Sequence, residues 1–188
     1  TDASFFGISL SRTARSRDPL AGTRVANQVA PFGDAWAAGG VAELPSTSWK
    51  AINLTGTAAL TLTDTDANNI SFTKSTVGTG ASTVWTPELG AEDLQLKGDA
   101  ANGFTLTESD GTVTVFSGPA TGPYTVASST PPGGPSNATL YTWQPWTGGS
   151  SRLSRIIAPT AAVSPLSTCG SGATPANGCR VLQLNYAA

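Results

Sequence analysis

"FTLTESDGTVTVF", residues 104–116, alternates apolar and polar side chains, pauses at Asp110-Gly111, and alternates again. Side chains along a strand point to opposite faces in turn, so a period of two predicts a half-buried antiparallel hairpin. Asp-Gly between two such runs is a strong hairpin signal, because glycine tolerates the positive φ of primed turns. Forty-four positions upstream, residues 60–72 read "LTLTDTDANNISF", nearly the same phrase. Asp66-Ala67 stands there in place of Asp-Gly, which predicts a looser or longer turn.

Working outward, each hairpin gains a strand on its N-terminal side. Strands are expected near 48–54, 58–64 and 69–74, and again near 93–97, 103–108 and 112–117. Ile52/Leu54 align with Leu94/Leu96, Leu60/Leu62 with Phe104/Leu106, and Phe72 with Phe116, given a two-residue adjustment in the first pair. Two related units, about 50–75 and 93–117, therefore repeat a pattern and carry no repeated chemistry. Neither can bury its apolar face alone, so the copies must extend one sheet or face one another.

The rest of the chain agrees. Residues 1–17 open with alternating Phe6, Ile8 and Leu10, read as one strand, and "PFGDAWAAGG" reads as an irregular packed turn. A strand near 123–127 leads into a Pro/Gly/Ser surface loop at 128–138. "LYTWQPW" and "RLSRIIAP" suggest two more strands, and "CRVLQLNYA" a last alternating one. No stretch sustains a 3.6-residue period. The expected fold is a single all-β segment over 1–188. It consists of antiparallel hairpins in a curved, twisted sheet or a β-sandwich-like arrangement, with minimal helix.

Composition limits the chemistry. The 188 residues are 39% hydrophobic and 12% charged, against about 25% charged in an average soluble protein. The net charge of −2 gives no electrostatic reason to expect nucleic acid or an anionic membrane as partner. Arg12, Arg15 and Arg17 in "SRTARSR" read as a solvated face. No apolar run approaches the ~20 residues of a membrane-spanning helix. The absence of Met implies that Thr1 arises by processing or excision. The absence of His removes Ser-His-Asp and Cys-His catalysis and histidine metal sites.

Cys169 and Cys179 flank the flexible "GSGATPANG", and two thiols without histidine do not make a structural zinc site. A disulfide is expected, and with it an oxidising, extracellular or cell-surface location. Asp64, Asp66, Glu108 and Asp110 all fall at turns, where carboxylates cap backbone N–H groups. Asp64, Asp66 and Asn68 also resemble the opening of a calcium loop. That loop's sixth and twelfth positions, however, hold Asn69 and Ser75 in place of Gly and Glu. Lys50, Lys74 and Lys97 show no spacing that would arm a serine. No catalytic residue and no cofactor is expected. Among five tryptophans, Trp36, Trp49, Trp85, Trp143 and Trp146, the best binding patch is Tyr141, Trp143 and Trp146. The first two share a strand face, and exposed indoles stack on sugars.

The ordered set "ASFFGISLSRTARSR", "PFGDAWAAGG", "WTPELGAEDLQL", "FTLTESDGTVTVF", "RLSRIIAPTAAVSPLSTC" and "GCRVLQLNYA" resembles secreted actinobacterial Rhs/YD-repeat proteins, in the region leading into their repeats. Toxin-complex components and teneurins are related to them. The resemblance implies a β-sheet that spirals into a shell enclosing a toxic polypeptide, hence a non-enzymatic structural or encapsulating role. It also implies other segments of the parent assembly as partners. The chain has no complete Tyr-Asp repeat and no C-terminal toxin, and its Asp18-Pro19 lies near the N-terminus without the surroundings of the family's self-cleavage motif. The alternative expectation is a carbohydrate-binding or adhesion β-sandwich with a glycan on the Tyr141–Trp146 patch.

Overall fold

A computed structural model describes residues 47–64, 68–145, 151–160, 169 and 177–185 with their side chains, and the backbone of 3–5, 8–10, 12–14 and 36–38. Among these residues the chain is all-β, with no α-helix. Four short N-terminal strands come first: β1 (Ala3–Phe5), β2 (Ile8–Leu10), β3 (Arg12–Ala14) and β4 (Trp36–Ala38). β1 pairs with β2 through Phe5 and Ile8, so the single strand expected there is a hairpin. β4 pairs with β3, so "AWAAGG" contributes a strand where an irregular turn was expected.

The body of the fold is a run of antiparallel strands. These are β5 (Trp49–Leu54), β6 (Ala59–Asp64), β7 (Asn69–Lys74), β8 (Val84–Pro87), β9 (Gln95–Asp99), β10 (Gly103–Thr107), β11 (Val113–Ser117) and β12 (Tyr124–Thr130). Each pairs with the next, and β12 returns to pair with β5, closing an eight-stranded up-and-down barrel. Closure removes the free edges that an open sheet would leave.

The alternation read from the sequence decides which face is inside. Ile52, Leu60, Leu62, Phe72, Leu96 and Leu106 point into the bore and are almost fully buried, and Phe104, Phe116 and Tyr124 join them. Thr61, Thr63, Ser71, Thr73, Thr86 and Lys97 face outward and keep contact with water. This polarity is the reverse of a lipid-facing barrel, whose outer band is apolar. Eight strands give a bore just wide enough for side chains to fill it. Each large side chain moved out of water there contributes roughly 1.5–3 kcal/mol.

The ladders correct the alignment of the repeats. Ile52 pairs with Leu62 as Leu96 pairs with Leu106, and Leu60 with Phe72 as Phe104 with Phe116. Ile52 therefore matches Leu96, not Leu94, and every equivalent pair stands 44 positions apart without adjustment. The hairpin ends match as well. The Glu108 N–H donates to the Thr112 carbonyl just as Asp64 N–H donates to that of Asn68, at 2.9 and 3.0 Å. The connection at 109–111 is a three-residue loop rather than a two-residue primed turn. Gly111, at φ 87°, closes a Glu108–Gly111 turn; the looser or longer turn expected at Asp66-Ala67 lies outside the described residues.

β12 is where the sheet forks. One edge carries β11. The other pairs with β5 at Tyr124 and Thr125, then with β13 (Thr139–Pro145) at Ser128 and Ser129. A register shift against β11 leaves Ala127 as the extra residue between these two partners. Such a bulge bends a strand and increases its twist. β14 (Ser151–Ala158) and β15 (Arg180–Gln183) continue beyond β13. Their Leu153, Ile156 and Ala158 join the same hydrophobic cluster as the barrel.

Thr114 lies on the inward face of β11, fully buried, and its hydroxyl has no hydrogen-bond partner. A buried unsatisfied hydroxyl costs about 1–3 kcal/mol. Thr114→Val keeps the shape and removes the hydroxyl, so it should raise stability by about 1 kcal/mol or more. Leu106→Ala, on the neighbouring strand, should lower it by about 2–5 kcal/mol. Urea titrations of the two variants against the parent chain check both signs.

Candidate functional site

Aromatic side chains organise the bore. Tyr124 stacks edge-on against Phe104, with ring centroids 4.8 Å apart at 85°, and Phe104 meets Trp85 at 6.0 Å and 67°. The Tyr124 hydroxyl lies 2.9 Å from the Ala100 carbonyl and 3.0 Å from that of Ala120. Burial holds its pKa above the usual tyrosine range, with the charge of Asp99 acting in the same direction. Trp85 donates its indole N–H to the Gly98 carbonyl at 2.9 Å. Gly98 is required there: at φ 131° a Cβ would sit 2.1 Å from the Gly103 carbonyl oxygen.

At the opposite end of the barrel the Trp49 indole N–H donates to Glu108 Oε1. Trp49 starts β5, and Glu108 follows β10, so this bond bridges the place where β12 has left β5. Glu108 is half-buried, and its pKa is raised chiefly by that burial. Asp110 and Asp93 push it further up, while the indole bond works against them. Asp110 spends both oxygens on Thr112, accepting from its N–H at 2.8 Å and from its hydroxyl at 3.0 Å. Two carboxyls with unlike environments are what acid–base chemistry uses. Here the Glu108 bond ties the hairpin end to Trp49, and the Asp110 bonds close the hairpin loop on itself.

The other candidates fall as follows. Cys169 and Cys179 form the expected disulfide, with Cα atoms 5.7 Å apart. The bridge is a local staple at the entrance to β15, reinforced by Thr160 Oγ1 donating to the Gly178 carbonyl at 3.0 Å. Tyr141 is buried in the core cluster, 4% exposed. Trp143 is half-buried against the same cluster and donates its indole N–H to the Val126 carbonyl at 2.6 Å. These two rings do share a face, as expected, but it is the face turned to the core. Trp146 lies outside the described residues.

Asp64 accepts the Asn68 N–H and the Asn68 side-chain amide, one on each oxygen, both at 2.8 Å. The amide thus turns a donor toward the carboxylate and caps the hairpin end. Asp66 lies outside the described residues. Among the described residues no three acids or cysteines gather as a metal site. Lys74 and Lys97 are exposed at the barrel surface. Arg15, Arg17 and Asp18-Pro19 also lie outside the described residues.

Comparison with known proteins finds no family model that matches the chain and no curated protein that matches it. The geometry therefore stands alone. Two residues that the sequence reading did not single out, Trp49 and Trp85, tie the barrel together. Trp49 stands in the first strand expected for the first repeat, whereas Trp85 lies in β8, where the sequence predicts no strand. The described helical turns, Gly80–Ser82 and Pro135–Asn137, are three residues each, and among the described residues no helix is long and apolar enough to cross a membrane.

Glu108 sets a pH dependence with a definite sign. Its folded pKa lies above the ordinary glutamate value, so the native state binds this proton more tightly than the unfolded chain does. Its contribution is fully present below the ordinary value of about 4.3 and is lost as pH rises through the raised value. Asp99 and Glu92, lowered by hydrogen bonds from Asn102 and from the Gly90 backbone, act in the opposite sense and only below the ordinary carboxylate range. Between neutral pH and the ordinary glutamate value, the parent chain should gain melting temperature relative to Glu108→Gln as the pH falls. A constant difference between the two melting curves across that interval would refute the assignment.

Proposed function

We propose that this chain is a non-enzymatic structural segment of a secreted or cell-surface protein of the Rhs/YD-repeat kind, a wall unit of a shell. The observation that carries the reading is the filled bore. Phe72, Phe104, Phe116 and Tyr124, with the leucines between them, occupy the volume a ligand would need. Water-facing threonines cover the outside, the indoles of Trp49, Trp85 and Trp143 tie strands together, and Asp64, Asp99 and Asp110 cap turns. The disulfide and the absence of a membrane-spanning helix among the described residues are compatible with an extracellular location.

Partner segments of the parent polypeptide would join at β15. Its one described neighbour is β14, through Ile156↔Leu182 and Ile157↔Val181. Strands left with a free edge recruit another strand. The glycan-binding alternative has lost support, since Tyr141 is buried and the Trp143 N–H is bonded to the wall.

Amide hydrogen exchange tests the reading, comparing the chain alone with the longer parent polypeptide. β15 should exchange quickly alone and slowly in the parent, while β6 and β10 remain protected in both. Equal exchange of β15 in the two contexts would count against the wall-unit reading. So would saturable polysaccharide binding abolished by Trp143→Ala.

A further inference from the structure

The eight ladders of the barrel are unequal in residue pairs, and the two shortest lie between β8 and β9 and between β12 and β5. Within β5–β8, successive strands share five, five and three residue pairs. Within β9–β12 they share five, four and five. The two junctions between these groups have two pairs each: Val84↔Lys97 and Trp85↔Leu96 on one side, Ile52↔Tyr124 and Ala51↔Thr125 on the other. The first junction gains one further bond, from Gly98 N–H to the Thr83 carbonyl. Each junction is also bridged by one tryptophan of the first group, Trp85 to Gly98 and Trp49 to Glu108. The groups coincide with the two repeats, each extended by one strand.

We propose that β5–β8 and β9–β12 are exchangeable half-barrels, and that the partner they fit is a second copy of this chain. In the resulting dimer, β5–β8 of each copy closes against β9–β12 of the other. Every ladder is kept; the two junction ladders, both indole bonds and the Trp85–Phe104 contact now run between chains, while the Phe104–Tyr124 contact stays within one. The cost falls on the connection at 88–94 and on bringing two molecules together, which is the low-cost route by which domains swap.

That connection has the features of a hinge. It is the one covalent link between the halves. It consists of two consecutive turns, Glu88–Ala91 and Ala91–Leu94, each closed by one backbone bond. Its Gly90 takes a positive φ of 93°, and Leu89 beside it is 95% exposed. Only Ala91 and Leu94 are buried. β13–β15 are joined to β12 and move with the second half. The inference goes beyond the wall-unit reading and does not rest on it.

Val84 and Lys97 are opposed across the first junction and face outward, so thiols there report the pairing without disturbing the bore. Val84→Cys and Lys97→Cys are made in separate full-length chains, unfolded together at high concentration, refolded and oxidised. The expected result is a covalent dimer from the mixture and none from either variant refolded alone. A second form of each chain, lacking residues 89–90, should shift toward dimer by light scattering, because a shortened hinge cannot fold back. Monomers throughout, with no cross-link from the mixture and no dimer from a folded short-hinge form, would overturn the proposal. Should the short-hinge form fail to fold, the full-length mixture alone decides between the two outcomes.

Discussion

The meeting of apolar side chains from both repeats in one closed bore is the constraint on which the fold depends. An alternating strand presents one greasy face and one wet face, and a single three-stranded unit has nowhere to put the first. Two units laid in one sheet still leave it exposed. Curling that sheet until β12 meets β5 solves the problem at once, because Phe72 and Phe116 from the two repeats then fill the same interior. The units therefore do both things open to them: they extend one sheet, and through its curvature they face one another.

Closure also explains where the special residues sit. A two-pair junction holds little on its own, so each is helped by a side chain that reaches across it. Trp85 reaches the Gly98 carbonyl, and the missing side chain at that position lets the Gly103–Phe104 backbone of the next strand approach. Trp49 reaches Glu108 where β12 has turned away to meet β13, at the cost of keeping a carboxylate half-buried among other acids. The fork at β12 in turn makes room for β13–β15 to lay Leu153 and Ile156 against the barrel. The half-buried glutamate and the line of aromatics both contribute bonds and contacts that hold strands together.

Much of this was legible in the sequence, because strand periodicity is local. The seven strands expected between residues 48 and 127 all exist, and the all-β class follows from them. β8 was missed: Val84–Pro87 is four residues long, ends in proline and follows a Ser/Thr/Gly tract, so it never shows two full alternations. The repeats were aligned on Leu94 because both Leu94 and Leu96 are apolar, and only cross-strand partners reveal which of them matches Ile52. The disulfide was readable from loop composition. Whether Tyr141 and Trp143 face water was not, since two residues sharing a face says nothing about which face it is. Closure itself depends on a contact between Ile52 and Tyr124, seventy-odd positions apart, with no local signature.

Solution NMR tests the closed bore most directly, through backbone nuclear Overhauser contacts at the second junction. The account predicts cross-strand contacts between Ile52 and Tyr124 and between Ala51 and Thr125, together with those joining Val84 to Lys97, in one folded species. A spectrum with well-formed β6, β7, β10 and β11 but no contact between β5 and β12 would mean an open sheet. The closed, filled bore would then be wrong.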